Sequence, residues 1–168
     1  MQTVYGVEMQ VPTGKLPGFY AQVIHKIGDR VNVFDRDGML FIVEEADASE
    51  ELKQILGKAQ MLGEEMTLLY IPQGESLARV DDVGFVSQSG RTYLFAEQVA
   101  LFAVEQEAGD AQDRWAAREQ LREHLIGEIA ATDGSPAVMV LESSLIELAE
   151  GIAKAYHVSL RWLHRGMS

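Results

Sequence analysis

The sequence predicts an α+β fold, with a mostly antiparallel sheet packed by about three helices in a single domain spanning residues 1–168. Short alternating or β-branched runs separated by turn dipeptides dominate residues 1–105. Helical repeats occur near 49–62, 110–130 and 143–156. The content of 47% apolar and 24% charged residues is that of an ordinary globular protein, so the chain can bury a core without disulfides.

The first 45 residues are predicted to form strands. The run "TVYGVEMQV" alternates imperfectly, and "GFYAQVIHKI" places Phe19, Ala21, Val23 and His25 on one side. "RVNVFD" and "MLFIVEE" follow, and the dipeptides GD and DG between the runs are typical of hairpin turns. Residues 17–45 are therefore expected to form a three-stranded meander, with His25 as a hydrogen-bonded residue on its apolar face.

A helix near 49–62 interrupts the strands. Its apolar residues repeat at helical spacing, Asp47 and Glu50 form a capping-box pattern, and Gly63 is a suitable exit residue. The segments "MTLLYI", "ARVDDVGFVS" and "TYLFAEQVALFAVE" then predict further strands, with "QSGR" as the turn between the last two.

Residues 110–168 predict the order helix, strand, helix, strand. Asp110 is the expected N-cap of a long helix over 110–130. "AVMVL" predicts a buried strand, and the next helix starts at a capping box formed by Ser144 and Glu147. The final "HVSLRWLHR" alternates with period two, which indicates a strand beside "AVMVL"; a terminal helix is the alternative.

The basic tip of the chain raises the question of DNA binding. Arg161 and Arg165 flank a tryptophan after an apolar helix, which would suit a helix beside a phosphate backbone. However, no helix-turn-helix pair is expected upstream, and the chain carries a net charge of −12. We therefore expect no direct binding to nucleic acid.

Negative charge is concentrated in the middle of the sequence. Residues 44–110 carry 14 acidic and 4 basic residues, whereas residues 1–43 are neutral in sum and residues 111–168 sum to −2. Such a field repels nucleic acid and attracts basic partners, although solubility alone would also account for it. The acidic residues expected to form one surface are Glu44, Glu45, Asp47, Glu50, Glu51, Glu64 and Glu65.

No recognisable motif for catalysis or metal binding is present. The chain has no cysteine, and it lacks the zinc, phosphate-loop, dinucleotide and nucleophile-elbow signatures. "DRDG" at 35–38 resembles the start of a calcium loop, but Met39 and Ala46 occupy positions that need oxygen ligands, so a hairpin turn is expected. Asp81, Asp82 and Glu75 are read as a solvated loop. We expect no metal ion and no cofactor, and the sequence leans against enzymatic activity.

One feature of the predicted 110–130 helix is unusual. Arg114, Arg118 and Arg122 recur at every fourth position, next to Trp115. On the predicted helix they share a face with Leu121, Leu125 and Ile129. Three interpretations stay open: internal pairing with carboxylates, a partner interface anchored by arginine and tryptophan, or a pocket for an anionic ligand. The first predicts that Arg118 is largely buried and paired with a carboxylate.

The expected function is that of a non-enzymatic protein-binding module, an adaptor or inhibitor whose acidic surface meets a basic protein. One alternative is an acidic nucleic-acid mimic, an inhibitor from a phage or mobile element. The other is a ligand-binding or enzymatic domain with a site around the arginines. The sequence predicts no signal peptide and no membrane span, so a cytoplasmic location is expected, and a homo-oligomer is left open.

Overall fold

The computed structural model describes residues 1–14, 17–72, 74, 77–132 and 134–166. Helices and strands both contribute heavily, and all strand pairs with a described register are antiparallel, which confirms the α+β class. The strands form two sheets, of six and four strands, where the sequence predicted one. The chain divides into two compact units, Met1–Ile71 with Val86–Tyr93, and Pro72–Phe85 with Leu94–Ser168. The single domain stays a prediction.

The first unit has the connectivity β-α-β-β-α-β. Its elements are β1 (Gln2–Met9), α1 (Pro17–Arg30), β2 (Asp35–Asp37), β3 (Leu40–Val43), α2 (Ala46–Lys58) and β4 (Leu62–Ile71). Strand β1 lies between β3 and β4 and pairs with both in antiparallel register, so that Tyr5 is opposite Val43 on one side and Thr67 on the other. This order of elements and strands is that of the split β-α-β motif.

The core of the first unit lies between its strands and its two helices. Val7 and Phe41 from the strands pack with Ile27 of α1 and Leu52 of α2, and all four side chains are almost fully buried. The apolar residues that alternate along the strands and those that recur at helical spacing on α2 thus pack together in one layer.

Helix α1 corrects the predicted meander, because "GFYAQVIHKI" is helical and not a strand. Val23 and Ile27, four residues apart, are its buried side chains, and the period-two pattern of the same run was coincidental. His25 is consequently not on an apolar face: its side chain is 81% exposed and lies 3.3 Å from the Asp29 carboxylate. The GD dipeptide, Gly28 and Asp29, lies in the last turn of α1. Of the two predicted turn dipeptides, DG forms a hairpin turn, between β2 and β3.

Helix α2 begins and ends differently from the prediction. Its N-cap is Glu45, whose side chain makes no capping hydrogen bond, so the predicted Asp47–Glu50 capping box does not form. Its end is a Schellman motif, in which the amides of Gln60 and Met61 donate to the carbonyls of Gly57 and Leu56. Gln60 takes the left-handed conformation there, with φ of 59°. Gly63, the predicted exit, lies within β4.

The remaining elements belong to the second unit or cross the boundary between the units. They are a 3-10 turn (Val80–Asp82), β5 (Gly84–Val86), β6 (Thr92–Phe95), β7 (Val99–Val104), α3 (Ala111–Arg122), β8 (Gly127–Ile129), β9 (Val138–Glu142), a 3-10 turn (Ser143–Leu145), α4 (Ile146–Ala155) and β10 (Leu160–Arg165). The strand orders are β2-β3-β1-β4-β6-β5 and β10-β7-β9-β8. Strands β5 and β6 cross the boundary.

Helix α3 is shorter than predicted. Asp110 is its N-cap, as expected, and its carboxylate accepts a hydrogen bond of 2.7 Å from the Gln112 amide. The helix ends at Arg122, and the rest of the predicted 110–130 helix forms a turn and β8. Leu125 and Ile129, expected on the same helix face as the arginines, are therefore not helical. The predicted Ser144–Glu147 capping box is also absent, since Leu145 is the N-cap of α4.

The alternating C-terminal segment forms strand β10. It pairs with β7 and not with β9, the strand of "AVMVL", which lies on the other side of β7. The register between β10 and β7 shifts between Trp162 and His164, so β10 carries a bulge.

The core of the second unit lies between this sheet and its helices. Phe102 and Met139 from the strands pack with Leu121 of α3 and Ala149 of α4. The ring of Trp162 lies against that of Phe102, with centroids 5.0 Å apart. Among the described residues, no helix is long and apolar enough to cross a bilayer.

Candidate functional site

The seven predicted acidic site residues all lie in the first unit, from the end of β3 through α2 to the first residues of β4. Several of them are neutralised locally. The Lys53 ammonium lies 2.5 Å from the Glu50 carboxylate and 2.9 Å from that of Glu65. Glu51 lies 3.9 Å from the Arg30 guanidinium. The predicted acidic surface is therefore less negative than the sequence alone indicates.

Four of the acidic residues have no cationic partner in the described part of the chain. Glu44 accepts a hydrogen bond of 2.7 Å from the Gln2 side-chain amide, whereas the side chains of Glu45, Asp47 and Glu64 are exposed and unpaired there. Glu45 and Asp47 lie at the N-terminus of α2, where the helix dipole favours negative charge. The negative charges of Glu45 and Asp47 therefore also help to stabilise α2.

The three predicted arginines have three different environments on α3. Arg114 donates to the backbone carbonyls of Ala108 and Gly109, at 3.1 and 2.6 Å, and so holds the loop before the helix. Arg122 is paired with Glu119, and its Nε lies 3.1 Å from the Glu128 carboxylate. The internal carboxylates come from α3 and β8, and not from the acidic middle of the sequence.

Arg118 corrects the prediction made for the centre of the row. It is partly buried and has no hydrogen bond or ion pair within the described residues. The buried stripe of α3 consists of Ala117 and Leu121, so the arginines lie beside that stripe and not within it. Trp115, three residues before Arg118 and thus next to it on the helix surface, is 61% exposed. We call Trp115 and Arg118 the α3 patch.

A buried polar cluster in the first unit was not anticipated from the sequence. Asp35, at the start of β2, is 8% exposed and accepts hydrogen bonds from Ser87 and Tyr93, both at 2.7 Å, from Ser89 at 2.9 Å and from the Arg36 amide at 2.8 Å. These donors lie more than 50 residues away, apart from Arg36. The sequence contained the "DRDG" turn and the "QSGR" turn but no sign that their side chains meet.

The electrostatics of this cluster favour a fixed carboxylate. Burial acts to raise the pKa of Asp35, but hydrogen bonds from the two serines, the tyrosine and the amide outweigh burial and lower it. Burial and the bond to Asp35 raise the pKa of Tyr93 far above its usual value. Because Tyr93 is fully buried and the carboxylate is enclosed by donors, the cluster acts as a structural link between β2 and the turn after β5.

The remaining candidate residues do not assemble into a reactive centre within the described residues. No group of three or more histidine, aspartate or glutamate side chains has the geometry to hold a metal ion there. The Asp82 carboxylate is paired with Arg79 at 2.9 Å, and the predicted partner Glu75 lies outside the described residues. His164 contacts the Ala96 carbonyl at 2.6 Å.

The surface cavities in the described parts of the two units include three with volumes of about 250, 250 and 430 Å³. They lie between α1 and α2, beside the start of β7 and the end of β9, and between α4 and β10. None of the three is lined by Arg114, Arg118 or Arg122. The chain matches no model of a protein family, no curated protein and no solved structure, so its own side chains carry the functional argument.

Proposed function

We propose that this protein is a non-enzymatic protein-binding module that engages its partner through the α3 patch. One observation carries the proposal: Trp115 is 61% exposed beside Arg118, which has no partner in the described residues, while both neighbouring arginines are engaged. An exposed indole next to a guanidinium that no described residue neutralises has no evident role in the stability of the unit that carries it.

The chemistry of these two side chains defines the partner. Tryptophan and arginine are among the residues most enriched as interface anchors, because they combine a large contact area with directional hydrogen bonding. The guanidinium matches a carboxylate in a two-pronged hydrogen bond, which a lysine cannot reproduce. We expect a partner that offers an apolar recess for Trp115 and a carboxylate for Arg118.

The acidic surface is the second candidate contact, directed at a basic protein. Its unpaired residues Glu45, Asp47 and Glu64 would steer such a partner toward the first unit and raise the association rate at low salt. A nucleic-acid mimic stays an alternative, but it needs a regular row of free carboxylates, and local pairing neutralises three of the seven acidic residues in this segment.

An enzymatic or ligand-binding site around the arginines is less well supported. The described cavities do not include them, and Arg114 and Arg122 are occupied by internal acceptors. We propose a cytoplasmic location for the protein, which is the simplest interpretation of a chain without cysteine.

The test compares matched variants in quantitative affinity capture from the native host. Trp115→Ala and Arg118→Lys should each lose a protein that the wild type retains. Arg161→Ala, which removes an exposed arginine from β10 in the same unit, should retain it. The free energy of unfolding of each of the three variants should lie within about 0.5 kcal/mol of the wild-type value, since surface substitutions rarely cost more.

The results of this experiment distinguish binding through the α3 patch from binding through the acidic surface. A partner retained by both α3 variants but lost when Glu45, Asp47 and Glu64 are changed to their amides would assign binding to the acidic surface. Sedimentation of the pure protein shows whether the partner is a second copy. The proposal fails if no protein captured by the wild type depends on either surface.

A further inference from the structure

The first unit carries a groove of about 250 Å³ between its two helices. Phe19 and Val23 of α1 and Ile55 and Ala59, at the end of α2, form its apolar lining. Val23 and Ile55 are almost fully buried and belong to the core, whereas Phe19 and Ala59 are only partly buried and form the walls. Apolar surface is therefore open to solvent in a recess of molecular size.

Among the residues that the structure describes, two cationic side chains line the groove, Lys26 of α1 and Lys58 of α2. Both are exposed, and neither ammonium has a hydrogen bond or an ion pair with any described residue. Lys53, on the same helix as Lys58, instead bridges two glutamates. The dipole of α2 accounts for a cation in its last turn at Lys58, but Lys26 lies in the second half of α1, before its last turn.

We infer that this groove binds a small amphiphile with a single negative charge, a carboxylic acid with an aliphatic or aromatic tail. The tail lies against Phe19 and Ile55, and the carboxylate lies between the two lysines. Apolar cavities of about 150 Å³ accept benzene, so a groove of 250 Å³ accepts a somewhat longer tail. The net charge of −12 disfavours polyanions, whereas one carboxylate meets two ammonium groups.

Titration of the ¹⁵N-labelled chain of residues 1–168 with octanoate, below its micelle concentration, tests the inference by NMR. We expect saturable shifts confined to the amides of residues 19–26 and 55–59. Along the series butanoate, hexanoate and octanoate, each methylene that enters the groove should tighten binding about fourfold. Octylamine, which has the same tail and the opposite charge, should not bind.

Substitutions then test separately how the charge and the shape of the groove contribute to octanoate binding. Lys26→Gln and Lys58→Gln should each weaken octanoate binding by about two- to fivefold, as expected for exposed ion pairs. Lys154→Gln, which removes an exposed lysine of α4 in the second unit, should leave binding unchanged. Ala59→Phe should block the groove while both lysines remain.

Several results would overturn the inference. They are an absence of saturable shifts, shifts centred outside the two helices, equal binding of octylamine, or an equal loss with Lys154→Gln. Because the α3 patch lies in the other unit, these outcomes are independent of the proposed protein-binding function.

Discussion

Replacing Asp35 with alanine is expected to destabilise the first unit strongly. The change removes the acceptor of hydrogen bonds from Ser87, Ser89, Tyr93 and the Arg36 amide, at 2.7 to 2.9 Å. A buried hydroxyl that loses its acceptor costs about 1–3 kcal/mol, and breaking a buried charged network by removing one member costs about 3–5 kcal/mol. We expect a loss of about 4 kcal/mol in the free energy of unfolding.

Thermal unfolding measured by circular dichroism or calorimetry provides the assay. For a chain of this length, a loss of about 4 kcal/mol lowers the Tm by roughly 8–16 °C. Asp35→Asn preserves the shape but not the charge, and should cost about 2 kcal/mol. The matched control is Asp37→Ala on the same hairpin, which loses one hydrogen bond of 3.0 Å from the Gln88 amide and should cost about 1 kcal/mol or less.

The pH dependence of the difference in stability between the wild type and Asp35→Asn provides a second, independent check. Folding lowers the pKa of Asp35. The stability gained from its ionised form is therefore fully present above the pKa of the unfolded chain, which is about 4. It is lost as the pH falls through the lower, folded value. The gap between wild type and Asp35→Asn should therefore be full at neutral pH and narrow below about pH 4. Wild-type Tm values for both Asp35 variants, or a gap that does not change with pH, would refute the reasoning.

Three further predictions concern other parts of the fold. Gln60→Gly should stabilise the protein by about 0.5–1 kcal/mol, because glycine relieves the left-handed conformation at the end of α2; an equal or lower Tm would contradict this. Asp110→Ala should lower the Tm by roughly 2–4 °C through loss of the N-cap of α3, whereas the same effect from Asp113→Ala would argue against a specific cap. A gel shift with duplex DNA at about 50 mM salt should show no complex, and a discrete band would reject the expectation based on charge.

Sequence reasoning succeeded where one periodicity dominated a segment. The α+β class, the N-cap at Asp110 and the strand at the end of the chain were all predicted correctly. It failed where two periods coexist. In "GFYAQVIHKI" the apolar residues satisfy both a two-residue and a four-residue repeat, and only the packing of Val23 and Ile27 against the core decides between them.

Helix ends and distant contacts were the other failures, for different reasons. Both α2 and α4 end in Schellman motifs whose left-handed residues are Gln60 and His157, so the glycine that usually indicates such an end is missing. The contact between Asp35 and Ser87 joins residues 52 positions apart. No local pattern contains that information, and the same holds for the lack of an ion pair at Arg118 among the residues that the structure describes.

The position of β1 between β3 and β4 has a consequence for synthesis of the chain. Strand β1 is made first, yet its second neighbour is complete only at Ile71, 62 residues after Met9. At about 5–20 residues per second, a ribosome needs roughly 3–12 s to supply it. Throughout that interval the edge of β1 that pairs with β4 lacks its partner strand, although Val4 and Val7 on β1 are fully buried in the complete fold. Nascent chains are therefore most exposed to misassociation and to chaperones in this window, and slowing translation before residue 71 should lengthen it.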